Sequence, residues 1–585
     1  MKKIVEIIKK SGIFLLEFLT IILLYTTILW IFKLPITKIH IVVEFGITII
    51  FFIGCYFIKN FGIKPKTNKE KIKEFVIEML VSILISTVVF TLSVYICGKI
   101  YDTTSDGNTY HKLAVGSMKN GWIPLYGSCK DYTEEDGNVV TVMDENINYL
   151  WADHYAIGTE MIGANIYAFS GNIESGKAFS LVMMYACFAI MIEYLCKNRK
   201  INIIAGIIIA FVTVVNPITL TQIGTYYVDT TLAMGLYIIF IELLSITKKR
   251  DKENYIILAM AIILCSNSKF TGLAYAGIFC VAFYIYWLIK ARKNKEELVK
   301  IFKENTIYYA VTVIMTVALV GMSSYLMNTI NYKNPFYPLY GKGHVDNMVN
   351  QEIPASLSSK SHLEQFLISI FSEGKNVSPA YYPDGGIEPA LKIPFTITNQ
   401  ELDNYKIPDI RMGGFGPLYS GIFIITIIIS ILLIADYIKN KKYNELIQYL
   451  LIFGISIVLV IFLDGAYWAR YIPYIYFISI MNVIYLFEKQ KKWVNVLGYL
   501  VAIIIVVNSL LVGKVAISSY ISNSRYIKNN LQTFKEYCQA QGEPVEIKLN
   551  IIAYQGVLYN VDDLGIRAKV NQELDVERDA FMFKY

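Results

Sequence analysis

Long apolar runs recur along the chain, separated by short polar turns and two long polar loops. A membrane-spanning helix needs ~20 apolar residues. Thirteen segments are candidates: about 12–33, 39–58, 75–98, 176–196, 202–217, 226–246, 255–267, 270–289, 307–329, 415–437, 446–463, 471–487 and 493–514. The 255–267 run is short and ends in Ser266-Asn267-Ser268-Lys269, so it reads equally as a half-helix or one arm of a re-entrant pair. The runs predict helices because backbone facing lipid must satisfy its own hydrogen bonds. The basic stretch Met1 to Lys10 leads into the first run, which is longer than a signal-peptide core and lacks a small-residue cleavage site, so it reads as a retained helix.

Basic residues then predict orientation. Loops 59–74 and 290–306 carry six Lys or Arg each, and the turns at 197–200, 248–252, 439–442 and 489–492 are also basic. All fall on the N-terminal side if every segment spans. The long loops 99–175 and 330–414 fall on the other side, and between Lys99 and Glu160 four Lys face ten Asp or Glu. This places the N-terminus in the cytoplasm, with both long loops and the tail 515–585 outside. In the tail, Ser524–Ala540 reads helical and Pro544-Val545-Glu546-Ile547-Lys548-Leu549 alternates like a strand. The expected fold is an all-α polytopic membrane protein of about thirteen transmembrane helices. It has three parts: two helices and a basic loop (1–74), a transmembrane domain (75–514), and a small α+β tail (515–585). Short helices are expected in the first outer loop.

Composition sharpens this picture. Hydrophobic residues make up 55% and charged residues 17%, where soluble domains carry about 25% charge. Mean hydropathy is +0.46. A disordered chain, a disulfide scaffold and a nucleic-acid binder driven by charge are excluded. The net charge of +7 is a topology signal, since Lys and Arg crowd the inner loops. Ile, Lys and Asn are abundant, which suggests an AT-rich genome and a bacterial plasma membrane. Six of the eight cysteines lie in or beside apolar runs. Cys129 and Cys538 alone lie in polar surroundings, where a disulfide is open to them, and no CxxC or Cys/His metal spacing appears. Glu17, Glu44, Glu78, Glu193 and Glu242 stand near helix ends and read as headgroup-level carboxylates.

The polar chemistry gathers in the outer loops. The first begins Tyr101-Asp102-Thr103-Thr104-Ser105-Asp106-Gly107-Asn108-Thr109-Tyr110-His111 and continues through Ala114 to Trp122-Ile123-Pro124. Asp106, Tyr110 and Ala114 are spaced by four and share a face if Asp106 starts a helix. In a first turn the helix dipole favours an ionised Asp106. Such a carboxylate accepts a proton from a hydroxyl or binds a hard cation. Asp102 and Asp106 also read as plain turn and cap residues. His111 and His154 fall in this loop with Asp102, Asp106 and Asp153, a set that a metal site or simple solvated side chains would both explain. Asp229 stands at a helix start, Lys269 sits alone between two apolar runs, and Arg470 leads Arg470-Tyr471-Ile472-Pro473. Arg and Lys in such outer turns snorkel to lipid or bind a lipid-borne phosphate, Arg bidentately. Asn334–Gly341 and Tyr381-Tyr382-Pro383 supply aromatics to the second loop, as interfacial anchors or sugar-stacking surfaces.

In order, side and depth these residues resemble the GT-C superfamily of integral-membrane glycosyltransferases, and within it the branch of protein O-mannosyltransferases and the lipid A aminoarabinose transferase. The resemblance covers about 75 to 515. Its first-loop pattern is matched by Asp106-Gly107, Tyr110 and Ala114, with Gly107 where an acidic neighbour is usual. Trp122-Ile123-Pro124 matches its Trp/Pro segment, His154-Tyr155-Ala156-Ile157-Gly158 loosely matches a polar stretch, Lys177 matches a basic helix start, and Arg470-Tyr471-Ile472-Pro473 matches a late motif. The resemblance implies an inverting glycosyltransferase that uses a polyprenyl-phosphate sugar donor on the extracytoplasmic face. Asp106 would be the general base, with Asp102 the other candidate. Arg470 and Lys269 would hold the leaving lipid phosphate. Asp102, His111, Asp153, His154 and Asp229 would orient donor sugar or acceptor, or hold a divalent cation, and Tyr110 would join them in binding substrate. The second long loop would cover the site. The acceptor, a glycan, lipid or protein, stays open, and the expected partners are substrate and membrane lipids with no nucleic acid. A transporter or flippase for lipid-linked saccharides, or a non-catalytic assembly component, are the competing readings.

Overall fold

The computed structural model describes residues 2–61, 69–131, 149–345, 352–379, 382, 385–541, 545–576 and 578–585. It is mostly helical, at 72%. Among the described residues 9 helices are long and apolar enough to cross a membrane, or up to 10 if one bent pair counts as a span. All thirteen expected segments are helical, but three are too short by this measure: Ile203–Val214, Lys252–Ser268 and Pro473–Glu488. Local chemistry sets their ends. Asn216 caps a separate short helix that starts at Pro217, extended backbone at Lys269 stops the second, and Pro473 begins the third. The 307–329 segment is bent by 81° between Lys295–Val320 and Met322–Tyr332. Gly321 lies at the bend, where an added Cβ would overlap the Tyr325 ring.

The first helix, Lys2–Ile31, packs against Phe179–Glu193, Lys69–Cys97 and His40–Phe61. Gly12 permits the approach, because a Cβ there would overlap that of Ala189. Glu17, Glu44 and Glu242 depart from the headgroup-level reading: all three are buried in the bundle, Glu44 completely. The basic turns gather at one end, where Lys9 pairs with Glu193 and Glu253, and Arg199 with Glu488.

The described parts of the two long loops and of the tail gather at the other end. The apolar run 493–514 and the tail helix form one 50-residue helix, Lys492–Gln541. Beyond it Val545–Leu549 (β1), Ala568–Val570 (β2) and Phe583–Lys584 (β3) make a sheet of order β2-β1-β3, with β1 parallel to β2 and antiparallel to β3. Pro544 lies outside the described residues. Ile547, Leu549 and Phe583 pack on Ile527, Leu531 and Phe534 of the long helix as a separate small core. The tail also grips the first loop. Tyr167 donates to Asp563 at 2.7 Å, Ser117 and Tyr559 share a hydrogen bond at 3.0 Å, and Lys112 donates to Asn560 at 3.0 Å. Gly116 lies so close under Tyr559 that a Cβ would overlap the ring. Cys538 belongs to the tail core and Cys129 to the main one, and no disulfide forms among the described cysteines.

Candidate functional site: a polar cavity among the long loops

The site is built on the start of the first loop. Asp102 is completely buried. Its carboxylate accepts from the Thr104 amide at 2.8 Å, the Thr104 hydroxyl at 2.7 Å and the Tyr226 amide at 2.7 Å. Asp102 therefore ties the loop to the start of the Asp229 helix and is not at the cavity, which removes it as a candidate base. Gly107 lies against this carboxylate, with no room for a Cβ. That close approach accounts for a glycine after Asp106.

Helix begins at Ser105, so Asp106 stands in a first turn. Gly107–His111 is then a π turn before the α-helix Lys112–Lys119. The wider turn changes the expected spacing. Hydrogen bonding from i to i+5 puts Tyr110 and His111 on either side of the direction of Asp106, and all three line one cavity of about 430 Å³. Ala114 turns into the core. Asp229, Lys269 and Arg470 add to the polar half of the cavity, together with Glu160 and Asp464. The other half is apolar and aromatic: Phe270, Ala274, Phe336, Leu339, Phe462 and Leu463. Phe336, Leu339 and Tyr340 come from the Asn334–Gly341 stretch, so the second loop does form part of the wall.

Arg470 is the hub. Its Nη1 lies 3.6 Å from Asp229 and 3.8 Å from Asp106, and its Nε 3.9 Å from Asp409. These separations exceed the 2.7–2.9 Å of a charge-assisted hydrogen bond, and Nε has no hydrogen-bond partner. The guanidinium is placed by stacking instead, 4.1 Å from the Trp468 ring and 4.8 Å from Tyr227. Lys269 donates to Asp229 at 2.7 Å and lies over Tyr471 at 4.0 Å, while Gln222 donates to the other Asp229 oxygen at 3.2 Å. Asp229 thus fixes the ammonium beside the guanidinium. Burial raises the Asp106 carboxyl above its ordinary value, against the opposing pull of Arg470, His111 and Lys269. His111 Nδ1 meets Glu160 at 2.5 Å, and Thr159 donates to the second Glu160 oxygen. That contact fixes the imidazole ring plane on the cavity wall.

Three expected site residues lie elsewhere. Asp153 accepts from the Ser128 hydroxyl and the Cys129 amide, and so closes a turn. His154 pairs with Asn328 and meets the stacked rings of Tyr332 and Tyr337 edge to face. Neither lines the cavity. Lys177 is also away from it: fully buried, it pairs with Glu174 and the Ile100 carbonyl. Tyr381 and Pro383 lie outside the described residues. The sequence reading missed Glu160, Tyr227, Asp464, Trp468 and Asp409. Only Glu160 had a local signal, as a lone acid in the small, apolar stretch Ile157–Ala164. Among the described residues no three of His, Cys, Asp or Glu converge with a geometry that holds a metal ion.

Fold and cavity together define a multi-pass helical membrane protein with an amphipathic pocket at the end of its bundle. Compared with known protein families, curated proteins and solved structures, the chain matches none.

Proposed function

We propose that this protein is a membrane glycosyltransferase that moves a sugar from a polyprenyl-phosphate donor to an acceptor hydroxyl on the extracytoplasmic face. One observation carries the reading: Asp106, Lys269 and Arg470 meet in one cavity whose other half is apolar and aromatic. A lipid-linked sugar phosphate has that same division. Its first isoprene units match Phe270, Phe336 and Phe462, and its phosphate matches the unspent donors of Arg470 and the ammonium of Lys269.

In this mechanism the acceptor oxygen forms a bond to the anomeric carbon as the bond from that carbon to the phosphate oxygen breaks. The electron pair leaves on the lipid phosphate, and in-line attack inverts the anomeric centre. Arg470 and Lys269 stabilise the charge that grows on the leaving phosphate. Asp106 takes the acceptor proton, and its raised carboxyl holds that proton more readily than a solvated aspartate does. Tyr110 and His111 offer hydrogen bonds to sugar hydroxyls beside it. The second loop walls one side of the site with Phe336, Leu339 and Tyr340, which limits the approach of water to the donor.

The test is direct. The purified full-length chain is incubated with labelled lipid-phosphate sugars and an acceptor extract, and free polyprenyl phosphate is measured. Release coupled to an inverted glycoside supports the reading. Failure to release lipid phosphate from any donor, with membrane extract present, removes it.

A further inference from the structure

A second, more open hollow lies on the outside of the bundle, away from Asp106. It has a volume of about 690 Å³, within the range of small-molecule sites. Phe211, Val215 and Leu220 form one wall, and Leu510, Gly513 and Ile517 of the 50-residue helix form the other. Gly513 lets Leu220 approach: a Cβ there would stand 3.1 Å from its Cδ1. Ser518, Ser522, Lys514 and Arg525 close one end. Both cations are exposed, and no carboxylate lines the hollow.

Depth is set by counting. Residues 493–513 carry no charge, and at 1.5 Å per residue they extend about 30 Å, the thickness of a hydrocarbon core. Lys514 is therefore the first charge at the headgroup boundary. Arg525 lies three helical turns further out on the same face, and helical side chains lean back toward the N-terminus, so the guanidinium points down toward the headgroup layer. An apolar crevice thus opens below one ammonium, with two hydroxyls and a guanidinium above it.

We infer that this groove is a binding site for an anionic phospholipid. An acyl chain lies along Phe211, Leu220 and Ile517, the phosphate meets Lys514, and the hydroxyls of a polyol headgroup meet Ser518 and Ser522 under Arg525. Charge complementarity selects this occupant over a zwitterionic lipid, whose ammonium would face two cations. The groove also touches the site described above from behind. Its wall residue Leu220 belongs to Pro217–Gln222, the short helix whose Gln222 holds Asp229, and Tyr520 donates to the Thr221 carbonyl of that helix. The inference does not depend on the proposed transfer reaction.

The experiment is lipid retention by native mass spectrometry. Full-length protein is equilibrated in detergent with equal amounts of phosphatidylglycerol and phosphatidylcholine. Each basic residue near a membrane surface favours an anionic lipid by about fivefold, so wild type is expected to enrich phosphatidylglycerol clearly. Lys514→Ala and Arg525→Ala should each lower the enrichment, and the double variant should bring it to parity. Lys514→Arg should keep it. Lys528→Ala removes an exposed cation from the same helix outside the groove and should change nothing. Equal retention of both lipids by wild type, or a double variant that still enriches phosphatidylglycerol, overturns the inference. So does a loss in Lys528→Ala equal to that in Lys514→Ala, because that marks general surface charge.

Discussion

Arg470→Lys separates charge from shape at the hub of the cavity. The arginine is 7% exposed, stacks on Trp468 and Tyr227, and stands 3.6–3.9 Å from three carboxylates. Lysine keeps the cation among Asp106, Asp229 and Asp409, so the fold is expected to hold. It gives up the planar stack and the bidentate fork for phosphate. One lost charge-assisted contact is worth about 1.5–3 kcal/mol, and ~1.4 kcal/mol is a factor of ten. The donor KM should therefore rise by about tenfold to a hundredfold, with the melting temperature within a few degrees of wild type. Arg470→Ala leaves the three carboxylates facing one another with Lys269 alone. Removing one partner of a buried ion pair costs about 3–5 kcal/mol, so this variant should lose both activity and thermal stability. The assay is steady-state transfer at varied donor beside a thermal melt in the same detergent. Unchanged donor KM in Arg470→Lys would refute phosphate recognition at this residue.

Three further outcomes follow from the structure. Lys112→Met removes a fully buried partner of Glu174 and a donor to Asn560; it should destabilise by about 3–5 kcal/mol, read as a lower denaturation midpoint. Gly116→Leu forces a side chain into Tyr559 and should pry the tail from the first loop, read as faster proteolysis after the Lys492–Gln541 helix in the variant than in wild type. For pH, the Asp106 carboxyl is raised by burial, and the base must be ionised to act. The rate should fall as pH is lowered through a midpoint above the ordinary aspartate value of about 3.9; a midpoint at or below that value contradicts the assignment.

The helices were legible because apolar runs of span length leave the backbone no other way to bond in lipid. Their ends were less so. Hydropathy joined 202–217 across the Asn216-Pro217 break, and it divided the 50-residue helix at Lys514 although the backbone continues through the polar boundary. Within the site, Asp106, Lys269, Asp229 and Arg470 could be singled out as sparse charges next to helix ends. Asp102 and Asp106 were indistinguishable by spacing, since only the Tyr226 amide and the crowding at Gly107 decide between them. The π turn leaves no mark in a four-residue repeat. Asp409 reaches Arg470 from about sixty residues away in the chain, and pairing between distant segments is invisible in one sequence.

The most direct measurement compares wild type with Asp106→Asn, reading donor binding and sugar transfer in the same purified sample. Asparagine keeps the size of the side chain, so lipid-phosphate donor should bind both proteins. Loss of a general base lowers the rate by about 10²–10⁴-fold, and transfer should fall by that factor in the variant. Transfer by Asp106→Asn at the wild-type rate, with the same donor bound, would contradict the assignment of Asp106 as the group that activates the acceptor.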